Sequence, residues 1–381
     1  MSIRGEEYNA RIEALAALAR EAQLDGILLT GESNIDYFSG YRHHAPWSLF
    51  ARPFFVVVNA DGGAVLIGHT FLVPEMERTS PIADIRSYSQ SGSAALQPLI
   101  ESLNDLDIKH GRLGAELGYE QRLGVSYQDF MTLQSAMPQL RFEDASSILW
   151  RLRSTKSPAE QALLSEAARI TRCAFESCFA AMRVGITERE LARVAGEIMM
   201  REGADRPGFL LFASGAENHH VLSGKPTDRA VEVDDMLWMD LSAVHHGYWS
   251  DFCRAGIMGK PTKTQLDNQA MILEVNQACL DAVRPGQPIS DVALAAERQF
   301  SRLGLDVKIA QGRIGHGIGL MSTEPPHVAH YDGTVMEPGL VFTIEPRFIT
   351  DDGIFNCEEL VLVTEHGGEL LTDTPRHLHK A

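Results

Sequence analysis

Long apolar runs are missing from this 381-residue chain. The longest, such as PFFVVV and GLVFTI, fall far short of the ~20 residues that span a bilayer. The opening MSIRGEEYNA carries no apolar stretch of the kind that heads a secretory leader. A cytoplasmic location without membrane attachment is the expectation. Cysteine is scarce as well. Cys173, Cys178, Cys253, Cys279 and Cys357 are odd in number and never spaced as CxxC, which argues against a disulfide framework and a thiolate metal knuckle and leaves reduced, mostly buried thiols. Basic residues are outnumbered: 34 Lys and Arg against 51 Asp and Glu leave a formal charge of −17. With no basic cluster to reverse it locally, that charge repels phosphate backbones and anionic membranes, so no nucleic-acid partner is expected. A composition of 44% hydrophobic and 22% charged residues is that of a soluble globular protein, and at ~100–200 residues per domain the length calls for two domains.

Between 8 and 23 the apolar residues Ile12, Leu15, Leu18 and Ala19 recur at helical spacing, and GILLT at 26–30 follows as a short buried strand. PFFVVVN at 53–59 and GAVLIG at 63–68 read as two more strands joined by an Ala-Asp-Gly-Gly turn, with helical pattern returning at 96–103. These make a self-contained α/β domain over 1–150. In WRLRSTKSPAEQALLSEAARIT a Ser-Pro start signal precedes a Glu-bearing first turn and a long amphipathic run to about Met182. A second domain, 151–381, opens here. It continues with a helix at 187–202, strands near 209–213 and 235–258, helices near 264–283 and 289–303, and a strand-rich end over 306–365.

Two stretches carry most of the chemistry: MLWMDLSAVHHGYWSDFCRAGI at 236–257 and LVFTIEPRFITDDGIFNCEELVLV at 340–363. Each reads as two strands around a turn. A two-residue turn at His245-His246 sets Asp240 opposite Asp251, and one at Asp351-Asp352, with Gly353 following, sets Glu345 opposite Glu358. Directly opposed residues of an antiparallel pair have Cβ atoms roughly 4.5–5.5 Å apart, and like charges there destabilise the sheet. The neighbours Leu237, Met239, Phe252, Phe342, Ile344 and Phe355 are apolar, so unpaired charge would be costly. Taken singly, either pair reads as solvated loop acids; two symmetrically placed pairs read as a site for two cations. Glu359, on the other face of its strand, is expected to be solvated or to support a ligand. In GRIGHGIGLMSTEPPHV at 312–328 the glycines spell neither GxGxxG nor a Walker loop, and His316 reads best as a nitrogen ligand beside the carboxylates.

Asp240, Asp251, His316, Glu345 and Glu358, in that order, resemble the five metal ligands of the creatinase/prolidase/aminopeptidase P family (metallopeptidase family M24). SDFCR at 250–254, GHGIGL at 315–320, PGLVFTIEP at 338–346, VLVTEHGG at 361–368 and LRSTKSP at the domain boundary extend the resemblance over roughly 150–370, and SNIDYFSGY at 33–41 is similar to the family's N-terminal domain. The resemblance implies a two-domain α/β protein, a creatinase-like N-terminal α/β domain followed by a C-terminal pita-bread (α+β) domain. It also implies two divalent metal ions per chain (Mn, Co or Zn), a homodimer, and Glu345 as both ligand and general base. Oxygen donors with one imidazole favour Mn or a similar hard ion.

The departures bear on substrate. The family's peptidases carry a histidine where this chain has Ser223, and a second one seven residues after His316, where it has Thr323. Asn356 stands where prolidases carry a carboxylate-binding arginine. His219 and His220 before Ser223, and His327 and His330 after Thr323, are the available substitutes; each reads equally as a surface histidine, and His327-x-x-His330 as a separate metal site is the weaker reading. Arg347 can bind a substrate carboxylate or pair with a surface acid. The candidate assignments are therefore Glu345, His220, Ser223 and Thr323 as catalytic, and His219, His327 and Arg347 as substrate-binding. Tyr37, Tyr41 and Trp47 shape the substrate pocket if the first domain closes over the cleft, and are otherwise ordinary core aromatics.

The expected function is dinuclear metal-dependent hydrolysis of an amide C–N bond in a short peptide or small molecule. Two rival readings are a metal-independent creatinase-like hydrolase and a non-enzymatic binding protein with the same fold.

Overall fold

The computed structural model describes residues 3–44, 52–305 and 312–381. The chain divides into two compact units, 3–153 and 154–381. Trp47 lies outside the described residues.

The first unit is built on a six-stranded mixed sheet whose spatial order is Asp84–Tyr88, Ala64–His69, Phe55–Asn59, Gly26–Leu29, Gly111–Ala115, Leu140–Asp144. Its centre is antiparallel (Gly26–Leu29 to Phe55–Asn59 to Ala64–His69) and its flanks are parallel. Leu28, Phe55, Val57, Val65 and Ile67 pack with Leu99 and Leu103 of the helix Leu96–Asp105 into one core. The helix Glu32–Ser39 starts at Gly31, which offers no side-chain cap. The buried carboxylate of Glu116 supplies one instead, accepting from the N–H groups of Thr30 (2.6 Å) and Gly31 (2.8 Å). Tyr37 and Tyr41 are 5% and 1% exposed; Tyr37 donates its hydroxyl to the Leu152 carbonyl at 2.7 Å and lies under the Arg11 guanidinium. They are core aromatics.

The second unit repeats one plan twice: two helices, then antiparallel strands. Pro158–Ala181 and Glu188–Arg201 precede a sheet in which Met236–His245 pairs with Arg206–Ser214 on one side and Phe252–Ile257 on the other. Lys263–Ala282 and Ser290–Arg302 precede a second sheet ordered Glu324–His327, His316–Gly317, Val341–Ile344, Glu359–Thr364, Gly367–Leu370. Three of the four helices begin with reciprocal capping boxes, Ser157 with Glu160, Thr187 with Glu190 and Thr262 with Gln265, each satisfying two otherwise orphaned N–H groups. One core cluster links Ile272, Val275 and Cys279 with Ala296, Phe300, Phe342, Ile344 and Phe355. Four cysteines are buried and Cys173 is half-buried, all as free thiols. Among the described residues no helix is long and apolar enough to cross a membrane.

Candidate metal centre

Each half of the second unit contributes acids from a hairpin. In the first, His245 pairs with Tyr248 and Leu241 with Phe252, so the two-residue loop is His246-Gly247. Both loop residues have positive φ, 47° and 77°, the type I′ geometry that suits the right-handed twist of a hairpin and favours glycine in its second position. This corrects the register expected from a turn at His245-His246: Asp240 faces Cys253, not Asp251. Because side chains alternate with a period of two, the displaced register still leaves Asp240 and Asp251 on one face, as diagonal neighbours.

The second hairpin has the register predicted from the sequence. Thr350 pairs with Gly353 around Asp351-Asp352, and Arg347 with Asn356. The ladder Val341–Ile344 to Glu359–Thr364 continues in that register, with Ile344 on Glu359. Glu345 and Glu358 occupy the matching positions in the interruption between the two ladders. The Asn356 amide bridges that interruption, donating to the carbonyls of Glu345 (3.2 Å) and Pro346 (3.3 Å), while the Cys253 thiol donates to its oxygen. Burial, then the charges of Glu358 and Asp240, push that thiol's pKa well up, so it remains a donor.

His316 comes to these acids from the neighbouring strand, its N–H bonded to Thr343 Oγ1 at 3.1 Å. Its Nδ1 lies 3.0 Å from the Gly317 carbonyl; a carbonyl only accepts, so Nδ1 carries the proton and Nε2 keeps its lone pair. Nε2 lies 3.7 Å from Asp251 Oδ2 and 3.7 Å from Glu345 Oε1. One ligand atom each of Asp251, His316 and Glu358 fall within 4.8 Å of one another, and these three residues are 5%, 5% and 3% exposed. Asp240 Oδ1 is buried and makes no hydrogen bond among the described residues.

The electrostatics follow from this crowding. Burial and then the charge of Glu345 push the Asp240 carboxyl up to about 7, with Arg347 pulling the other way. Asp251 and Glu358 are raised well above the carboxylate range, first by burial and then by neighbouring acids, Asp240 and Glu345 for the former, Asp251, Asp240 and Glu345 for the latter. Burial lowers the His316 pKa, which favours the neutral imidazole that can act as a ligand. A largely buried cluster of mutually repelling carboxylates, one orphaned oxygen among them, with an imidazole lone pair turned inward, is a donor set that divalent cations neutralise. The residues fit such ions.

Family models match both units, a Creatinase/Prolidase N-terminal domain over residues 11–155 and Metallopeptidase family M24 over 162–365. The chain belongs to metallopeptidase family M24. It is 26% identical over 373 residues to the Xaa-Pro dipeptidase of Pyrococcus furiosus, covering 97% of this chain and 99% of the relative. Among solved structures it is similar to the Xaa-Pro dipeptidase from Bacillus anthracis (TM-score 0.85, 25% identity, 98% and 100% covered) and the prolidase from Pyrococcus furiosus (TM-score 0.80, 26% identity, 95% and 100% covered). The fold is therefore the expected one, a creatinase-like N-terminal α/β domain followed by a pita-bread domain, and the family places the chain among peptidase-type hydrolases.

Against that family frame the remaining candidates divide. His327 is buried and pairs in register with His316, and Arg313, which sequence reasoning passed over, approaches its Nδ1 at 3.0 Å. Arg313 also acts electrostatically on Asp251 and His316. Arg347 pairs with Glu345 Oε2 at 3.3 Å, inside the acid cluster and not with a surface acid. Thr323 is half-buried beside the buried Glu324. His220 and Ser223 are exposed on the loop before the first ligand strand. His219 is buried where the nearby charges are Asp235, Glu217 and Arg229, none of them a candidate ligand. His330 lies at the surface against Glu297 at 2.8 Å. Glu359 is 1% exposed and ion-paired, not solvated. Its cations are Arg254, from a strand far back in the chain, and Arg376, from the C-terminal segment.

Proposed function

We propose that the chain is a dinuclear metal-dependent hydrolase of the Xaa-Pro peptidase type, cleaving an amide C–N bond in a short peptide or small amide. The observation that carries this reading is the meeting of Asp251, His316 and Glu358 ligand atoms within 4.8 Å of one another, with Glu345 3.7 Å from His316 and a buried, unpartnered oxygen on Asp240. Asp240, Asp251, His316, Glu345 and Glu358 would together hold two divalent ions. When bound, such ions acidify water and polarise an amide carbonyl. Glu345 then takes a proton from the attacking water and passes it toward the leaving nitrogen. Mn is the favoured occupant, with Co and Zn as competitors.

Substrate recognition falls to residues that replace the absent family side chains. Asn356 is engaged by backbone carbonyls, and Arg347, its cross-strand partner, supplies the guanidinium for a substrate carboxylate. His327, register partner of His316, takes the part of the histidine absent at Thr323. A cytoplasmic homodimer acting on small substrates completes the reading.

The test is hydrolysis by the Mn-, Co- and Zn-loaded protein of a panel of Xaa-Pro dipeptides, their amides and simple N-acyl compounds. Turnover that is lost on chelation and restored by metal is expected. Turnover that survives exhaustive chelation would support a metal-independent creatinase-like hydrolase, and no turnover with any substrate a binding protein.

A further inference from the structure

We propose that Arg254 is a positioning residue of the metal centre, a strut that sets the spacing between the two ligand-bearing sheets and couples it to the C-terminal segment 372–376. The inference rests on the metal reading above. Arg254 belongs to the strand Phe252–Ile257, whose sheet carries Asp240, while Glu358 and Glu359 border the other sheet. Its side chain is 2% exposed.

All five guanidinium N–H groups are engaged. Nε donates to the Pro375 carbonyl at 3.1 Å. Nη1 donates to the carbonyls of Cys253 (2.8 Å) and Glu358 (2.7 Å). Nη2 donates to the Thr374 carbonyl at 3.1 Å and to both oxygens of Glu359, at 3.1 and 3.0 Å. Glu359 in turn binds Arg376 Nε at 2.8 Å and the Thr372 hydroxyl.

The two carbonyls at Nη1 sit at informative places. Cys253 is the cross-strand partner of Asp240, and Glu358 is itself a candidate ligand, so one planar group fixes the backbone beside a ligand on each sheet. The carboxylate of Glu359 and the carbonyl of Glu358 lie on the same guanidinium, and so the ligand strand is held at two successive residues. A lysine at 254 keeps the charge but has three donors on one nitrogen and cannot span both carbonyls and the carboxylate.

A buried ion pair that only stabilised the fold would lower the stability of metal-free and metal-loaded protein alike and leave metal affinity unchanged. A positioning role makes a different prediction. The experiment compares the full-length wild type, Arg254→Lys, and Arg229→Lys as a control in which another ion-paired arginine of the same unit, bound to Asp235, is replaced. Each is stripped by chelation, checked for native circular dichroism and titrated with Mn²⁺ by calorimetry. The expected result is Mn²⁺ binding at least tenfold weaker in Arg254→Lys and within twofold of wild type in Arg229→Lys. Binding by Arg254→Lys weakened less than tenfold, or an equal loss in the control, overturns the inference while leaving the proposed function standing; no Mn²⁺ binding by wild type overturns both. If Arg254→Lys does not fold, amide exchange on wild type decides. Amides of 372–376 should exchange at least tenfold more slowly once Mn²⁺ is added, and unchanged exchange there overturns the proposal.

Discussion

Stripping the metal from this protein should make it lose stability as the pH rises from 5 to 8. Asp240 titrates near 3.8 when unfolded and at about 7 in the folded, metal-free chain, because it is buried beside Glu345. Between those values the folded state holds a proton that the unfolded state has released, so the free energy of unfolding falls with pH. Roughly three pKa units at about 1.4 kcal/mol each cost about 4 kcal/mol in all, of which about 3 kcal/mol is lost between pH 5 and pH 8. Asp251 and Glu358 shift in the same direction and add to the loss. Against a typical stability of about 5–15 kcal/mol this is a large fraction. Urea unfolding of chelated protein at pH 5, 6, 7 and 8 measures it. Saturating Mn²⁺ should reverse the trend, because ions compete with protons for the same oxygens, and Asp240→Asn should flatten the metal-free slope. Chelated protein as stable at pH 8 as at pH 5, or a slope unchanged in Asp240→Asn, would refute the claim that these carboxylates are crowded in the folded state.

Replacing His327 with Ala should lower kcat on the order of 10²-fold, the cost of losing one donor to a developing oxyanion, with metal content unchanged; equal kcat in steady-state assays would remove His327 from the site. Arg347→Ala should raise KM for substrates with a free carboxylate by roughly 10- to 100-fold, the range of one charge-assisted hydrogen bond, and leave their amides nearly unaffected, as a paired kinetic comparison would reveal. Ser157→Ala, which removes the cap of the 24-residue helix Pro158–Ala181, should cost about 1 kcal/mol in denaturant unfolding and leave metal affinity as it was.

The second ligand hairpin was legible because its apolar strands flank an Asp-Asp loop closed by Gly353, and a two-residue loop allows one register. The first was misread by a small step: His245-His246 looks like a turn until Gly247 is given the positive-φ position it can occupy cheaply. Period-two alternation forgave the error, since the acids stay on one face. Arg254 escaped detection because its partners lie at Cys253, Glu358, Glu359, Thr374 and Pro375, a set that only the folded chain brings together. Of the two readings open for Glu359, solvated or supporting a ligand, its burial and its ion pair with Arg254 exclude the first. The pairing of His327 with His316 depends on an irregular ladder with a register shift between His316 and Gly317, where alternation carries no information. Tyr37 and Tyr41 show a further limit, as a core aromatic and a pocket aromatic have the same letter and the same spacing.

Metal content tests the central claim most directly. Wild type and Asp251→Ala, purified without chelator and reconstituted with Mn²⁺, should be compared by inductively coupled plasma mass spectrometry. About two ions per chain in wild type and a sharp loss in the variant are predicted. A wild type that holds no metal after reconstitution would contradict the account.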